Sequence, residues 1–427
     1  MITITRYSGG GREAIFGSLA QGPDISAAVR EIIEAVCLEG DAALYRYTEL
    51  FDGAKLETLW VSNQEMEEAR SAVEPRLLEV MAQAARNIET FHRQQLRGSF
   101  ILDARPGVTS GQRIVPIQRV GIYVPGGTAA YPSSVLMNAI PAKIAGCGEI
   151  VMVTPPGKDG KINPVILAAA GMAGVDTVYK LGGAQAIAAL AFGTGSIKRV
   201  SKIVGPGNAY VAEAKRQVFG RVAIDMIAGP SEILIIADGL SDARHLAADL
   251  LSQAEHDKLA TALLLTPDAE LASRVQLELE RQLTLLPRQE IARASIENRG
   301  RIILVNSLEE AMALSNDIAP EHLELQVGQP FDWLPWVQNA GSVFLGRYCP
   351  EAMGDYYAGA NHTLPTGGTA KFSSPLSVDD FVKKIQFCYY THEAMAREGD
   401  DVAYFAGQEG LDAHARSVLC RLEEGIL

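Results

Sequence analysis

Between Val115 and Ala237 the chain alternates short apolar runs with helical stretches, and that alternation fixes the class of fold. Residues 120–124, 150–153, 177–179, 203–204 and 233–237 are short, strongly apolar runs and read as buried strands. Between them, residues 135–145, 164–173, 184–192 and 209–219 read as helices. A strand–helix–strand series makes a mostly parallel sheet with helices on both faces. The same alternation resumes with a helix over 243–251, a strand over 260–265, a helix over 269–286, a strand over 301–305 and a helix over 308–315. Upstream, apolar Ala28, Val29, Ile32, Ile33 and Val36 recur on one helical face that Gly40 ends. Helices over 41–51 and 63–91 follow, the second interrupted at Pro75. Residues 1–22 read as a lead-in arm without periodicity, and from Val378 the tail reads as helical.

Three strand-to-helix junctions are glycine-rich: Tyr123-Val124-Pro125-Gly126-Gly127, Gly182-Gly183-Ala184-Gln185 and Gly205-Pro206-Gly207-Asn208. Ligands of parallel sheets bind at the carboxyl ends of strands, and helix N-termini favour phosphate. The residues alone leave two readings open, a nucleotide site or tight turns. The three-glycine dinucleotide fingerprint is missing, because Tyr210 stands where a third glycine would be required.

With 427 residues, two or three domains are expected. A net charge of −13 argues against nucleic acid or anionic membrane as partners. Neither a membrane-length apolar run nor a signal peptide is visible, and the five scattered cysteines contain no CxxC pair. Reduced thiols in a cytoplasm follow, and any metal must be held by His, Asp, Glu or Gln.

Candidate chemistry sits in four places. Gln253 and His256, three residues apart at a helix end, are either half a metal site or a helix cap. Ala319-Pro320-Glu321-His322-Leu323 puts an acid beside a base in a loop after a helix, either general acid–base machinery or a salt link. The Gly- and Pro-punctuated stretch 350–369 carries Asp355 and His362, as binding loops do. His414, far down the chain, is a further candidate ligand. His92, His245 and His392 read as surface residues.

Taken together, these blocks resemble the histidinol dehydrogenase family along nearly the whole chain. The matching stretches are VGIYVPGGTAAYPSSVLMNAIPAKIAGC, GGAQAIAALAFGT, KIVGPGNAYVAEAKRQV, IDMIAGPSE, LLSQAEHD, APEHLE, GSVFLG, GDYYAGANHTLPTGGTAKFSS and EGLDAHARS, in that order. The resemblance implies a two-step oxidation of L-histidinol to L-histidine through the aldehyde, with two NAD and one bound zinc ion per subunit. Carried over by motif, the zinc ligands are Gln253, His256, Asp355 and His414, and the acid–base pair is Glu321 and His322. Substrate contacts fall on Ser231, Gln253, His256, His322, Asp355, His362, Glu409 and His414. NAD contacts fall on Tyr123, Gln185 and Asn208, one from each glycine-rich junction. The family's fold is α/β, with two Rossmann-like, aldehyde-dehydrogenase-like domains and small terminal arms. The implied layout is an arm over 1–22, a split main domain over 23–118 and 237–375, an inserted NAD-contacting domain over 119–236, and a dimerisation arm over 376–427. Glu409 and His414 would complete the other subunit's site in a homodimer.

Three alternatives accompany this expectation, one being a nucleotide-binding or zinc-dependent regulatory protein without turnover, against which the intact Glu321-His322 pair argues. Cys147 could serve as a thiol nucleophile, although its apolar surroundings favour a buried structural thiol. The same machinery could also oxidise another small alcohol, such as a sulfonated polyol.

Overall fold

The computed structural model describes residues 1–12, 15, 24–126 and 130–423. Residues 13, 14, 16–23, 127–129 and 424–427 lie outside the described residues, among them Gly127 and part of the lead-in arm. Two compact units emerge: Met1–Gln95 with Ile117–Phe381, and Leu96–Pro116 with Val382–Leu427.

In the first unit, one sheet has six parallel strands: β1 (Thr3–Arg6), β9 (Glu232–Ala237), β10 (Thr261–Thr266), β11 (Arg301–Leu304), β12 (His322–Gln326) and β13 (Ser342–Leu345). Their order is β1-β11-β10-β9-β12-β13. Side chains alternate across this sheet: Ile233, Ile235, Ala262, Leu264 and Ile302 pack into one core, while Leu234, Ile236, Leu263, Leu265 and Ile303 pack into another. Continuous apolar strands are the sequence mark of a sheet covered on both faces. The lead-in is therefore not wholly irregular, since Thr3–Arg6 pairs along β11 from Arg301 to Leu304.

A second parallel sheet holds β4 (Arg119–Tyr123), β5 (Glu149–Thr154), β6 (Thr177–Lys180), β7 (Lys202–Val204) and β8 (Ala223–Ile224), in the order β6-β5-β4-β7-β8. The chain moves outward from β4 to β6 and then returns to the other side of β4 with β7. The topological switch point thus lies between β4 and β7, where such sheets bind ligands at strand carboxyl ends. Helices Pro132–Ala145, Pro164–Ala173, Gly183–Phe192 and Ala209–Val218 make the crossovers.

The second unit corrects the expectation of an all-helical tail. Val382–Tyr390 is a nine-residue strand, β14, paired antiparallel with β3 (Val108–Pro116), which pairs with β2 (Phe100–Arg105). Helices His392–Gln408 and Asp412–Leu419 complete it. Among the described residues no helix is long and apolar enough to cross a membrane.

Candidate active site

Glu321 and His322, the acid–base candidates, stand at the second place where strand order reverses. β9 and β12 are neighbours although far apart in sequence, and His322 sits opposite Ile233. His322 opens strand β12 rather than lying in a loop, which corrects the sequence expectation. Both side chains of the pair grip the backbone of Glu232: its N–H donates to Glu321 Oε2 at 2.9 Å, and its carbonyl lies 3.0 Å from His322 Nδ1. That carbonyl can only accept, so Nδ1 carries the ring proton and Nε2 presents a lone pair. Nε2 is buried without a hydrogen-bond partner among the described residues and lies 3.8 Å from Asp355 Oδ1. Burial holds the His322 pKa below the ordinary imidazole value, with the carboxylate of Asp355 opposing. The geometry is that of a neutral base with its acceptor nitrogen free.

Acids crowd around this ring. Nδ1 is 3.7 Å from Glu321 Oε2 and 3.6 Å from Glu351 Oε1. Burial raises Glu321 well above the usual carboxyl range, and repulsion from Glu351, Glu232 and Asp355 adds to it against the Glu232 N–H. Glu351 is pushed up to about 8 by burial and then by Glu324, and Asp355 to about 6 mainly by burial. Acids raised together in one pit form a site that a cation would satisfy by displacing their protons. His322, Glu351 and Asp355 indeed bring ligand atoms within 4.8 Å of one another.

Glu351 was not singled out from sequence. It stands four residues before Asp355 on a short helical turn, Glu351–Met353 continued by Gly354–Ala358, so the two carboxyls share a face. The Pro and Gly around them made the stretch read as loop. Gln253 is fully buried on the last turn of the helix Ala243–Ala254. Oriented so that both ends of its amide find partners, it accepts from Glu232 N–H at 3.0 Å and donates to Glu351 at 2.8 Å. The helix stops at Ala254, so His256 lies past the Glu255 cap rather than on the same helical face. His256 is solvent-accessible by area yet sits in a pit, where burial and then the charge of His322 lower its pKa. With Arg288, Tyr131, Tyr356 and Tyr357 it lines a cavity of about 350 Å³. Ser231 directly precedes β9, and its carbonyl accepts from Thr261 N–H at 2.9 Å.

His362 lies between Ser134 Oγ, 3.4 Å from Nε2, and the Asp355 carbonyl, 3.2 Å from Nδ1, and burial lowers its pKa to about 4. The loop behind it is tied by His92, which is fully buried and not at the surface as its sequence suggested. His92 Nδ1 bonds Gln95 Oε1 at 2.7 Å, and Nε2 faces Asn361 Nδ2 at 3.4 Å. His245 and His392 are exposed as expected. Glu409 and His414 belong to the second unit and are exposed, Glu409 capping the helix His392–Gln408 and His414 within Asp412–Leu419.

The three nucleotide candidates stand at the carboxyl edge of the five-stranded sheet. Tyr123 ends β4, and its hydroxyl accepts from Gly183 N–H at 3.1 Å. Asn208 caps the helix Ala209–Val218 by accepting from Tyr210 and Val211 N–H. Gln185, in the first turn of Gly183–Phe192, is 1% exposed, and neither end of its amide has a partner among the described residues. A buried amide in that condition is costly unless a ligand completes it. Cys147 is buried, and burial pushes its thiol up to about 11, away from the thiolate that a nucleophile needs.

A family model described as histidinol dehydrogenase matches residues 18–422. A histidinol dehydrogenase of Bacillus cereus is 57% identical over 396 residues, covering 93% of this chain and 92% of its own length. One of Listeria innocua is 54% identical over 400 residues, covering 94% and 93%. The crystal structure of histidinol dehydrogenase from Elizabethkingia anophelis superposes with a TM-score of 0.94 at 40% identity, covering 99% of this chain and 98% of that one. A betaine aldehyde dehydrogenase from Staphylococcus aureus shares the fold alone, with a TM-score of 0.51 at 13% identity and coverage of 90% and 86%.

Proposed function

This chain belongs to the histidinol dehydrogenase family, and from that premise we propose that it oxidises L-histidinol to L-histidine in two steps with two NAD. The observation that carries the reading is His322: a buried, neutral imidazole whose Nδ1 proton is fixed on the Glu232 carbonyl and whose Nε2 is free.

The donor set suits zinc, which takes imidazole nitrogen and carboxylate oxygen. Gln253, His256 and Asp355 would hold the ion together with His414 of a second copy, and Glu351 sets the Gln253 amide. Zinc held there would supply positive charge that anchors the amine and imidazole nitrogens of histidinol. NAD would supply the hydride acceptor. The orphaned amide of Gln185 supports a nucleotide at the switch point beside Tyr123 and Asn208.

His322 takes the hydroxyl proton on Nε2 as the carbinol carbon loses hydride, which leaves the aldehyde. Glu321, whose raised pKa makes its ionised form a stronger base than a surface glutamate, takes a proton from water as the oxygen adds to the aldehyde carbon, while His322 returns its proton to the former carbonyl oxygen, which gives the hydrate and frees Nε2. The hydrate then loses a second hydride while His322 again accepts a hydroxyl proton, giving the carboxylic acid. Ser231 and His362 flank the substrate and need no titration for that role. A homodimer accords with the apolar surface of the second unit, where Ile101, Tyr389, Tyr404 and Phe405 are exposed. In this reading residues 119–236 form the nucleotide domain and 376–427 the dimerisation arm of a cytoplasmic enzyme. The test is His322→Asn, which keeps an Nδ1-like donor but removes the base. Loss of both oxidations with NADH binding retained supports the reading, and near-normal turnover refutes it.

A further inference from the structure

The turn that carries Asn208 begins at Gly205, whose φ of +111° lies in the region that favours glycine. A Cβ there would stand 2.1 Å from the Tyr123 carbonyl oxygen, so the turn lies directly on the backbone that ends β4. Both polar groups of Gly205 are held by one ion pair. Its N–H donates to Asp225 Oδ2 at 2.7 Å, and its carbonyl accepts from Lys215 Nζ at 3.0 Å. Lys215 and Asp225 are in direct contact, with side chains only 3% and 1% exposed. Asp225 Oδ1 also accepts from Met226 N–H at 2.7 Å, which anchors the acid to the end of β8.

A buried ion pair is weak ground for stability, because well-packed apolar residues of similar volume often serve as well. What this pair does that apolar residues cannot is hold an N–H and a carbonyl on opposite sides of one residue. Lys215 is no direct phosphate ligand: it is buried, and its ammonium is spent on Asp225 and Gly205. The turn in turn touches the other junctions, since Gly205 packs on Tyr123 and the Tyr123 hydroxyl holds Gly183 N–H.

We propose that Lys215 and Asp225 are positioning residues for the dinucleotide, clamping Gly205 so that the turn 205–208 and Tyr123 keep the geometry that receives it. The proposal rests on the NAD reading above. Its test replaces the pair at once, which avoids leaving a lone buried charge: Lys215→Met with Asp225→Leu, and Lys215→Met with Asp225→Asn, which keeps an acceptor for Gly205 N–H. Three quantities are read: the NADH dissociation constant, KM for NAD against KM for L-histidinol, and amide hydrogen exchange across 205–211. The Leu variant should weaken NADH binding and raise KM for NAD about tenfold, as small misplacements do. KM for L-histidinol should stay within about twofold, exchange at 205–208 should quicken, and the Asn variant should fall between. Unchanged NADH affinity despite faster exchange overturns the positioning role. Unchanged exchange overturns the clamp itself. Wild-type protein that consumes histidinol without binding NADH overturns the dinucleotide reading and the positioning role with it, while the exchange difference still decides whether the pair holds the turn.

Discussion

Replacing Asp249 by asparagine should stabilise the protein progressively as pH rises. Strand β12 turns His322, Glu324 and Gln326 to one face, and Asp249 meets them from the helix Ala243–Ala254. Gln326 Nε2 donates to Glu324 Oε2 at 2.9 Å and to Asp249 Oδ2 at 3.2 Å, and Glu324 Oε1 accepts Glu351 N–H at 2.8 Å. The Gln326 amide thus brings the two buried carboxyls together, and burial with their mutual repulsion keeps a proton on the pair. Burial raises Glu324 as well, but the Gln326 amide and the Glu351 N–H oppose that shift, which favours leaving the negative charge on Glu324. Burial and then the charge of Glu324 raise Asp249 well above its ordinary value. The folded state therefore holds a proton that the unfolded chain gives up above about pH 4. Stability falls by about 1.4 kcal/mol per pH unit over that range, or about 3 kcal/mol between pH 5.5 and 7.5. An asparagine amide donates and accepts as the protonated acid does but never titrates. Urea unfolding of wild type and Asp249→Asn at pH 5.5, 6.5 and 7.5 should show the variant's advantage growing by that slope. A difference that is constant across pH would refute the shared proton.

Three further outcomes follow from the site. Glu321→Gln should spare histidinol oxidation and slow aldehyde oxidation by roughly 10²–10⁴-fold, measured with each substrate separately; equal loss in both steps contradicts the division of labour. Because burial lowers the His322 pKa, its base form is present above that value, so kcat/KM should climb below pH 6.5 and be level from about pH 7. A climb that continues beyond pH 8 would mean another group is the base. Since Glu321, Glu351 and Asp355 are all raised, zinc binding near neutral pH should release protons, seen as a calorimetric heat that varies with buffer ionisation enthalpy; a buffer-independent heat argues against it.

The parallel sheets were legible because a run such as Ile233-Leu234-Ile235-Ile236 makes sense only when both faces are covered. The strands of the second unit were not, because β2 is exposed at every position and β14 is mostly so, which leaves no burial pattern in the sequence. β12 is written as an alternation, His-Leu-Glu-Leu-Gln, but its polar face is turned inward, against the usual sense of the pattern. At the site, Glu321 and His322 were legible as neighbours and Asp355 as a polar residue of a binding-type loop, but their meeting was not, since a fold must bring Asp355 across. Glu351 was written at the four-residue spacing of a helical turn and hidden by the Pro and Gly beside it. His92 was misread because its partner Asn361 is 269 residues away.

The most direct measurement of the central claim is the number of NADH formed per L-histidinol consumed by zinc-loaded protein, repeated with a chelator. The account predicts two, lost on chelation and restored by zinc. One NADH with free aldehyde released would contradict the water step at Glu321, and none would contradict the substrate.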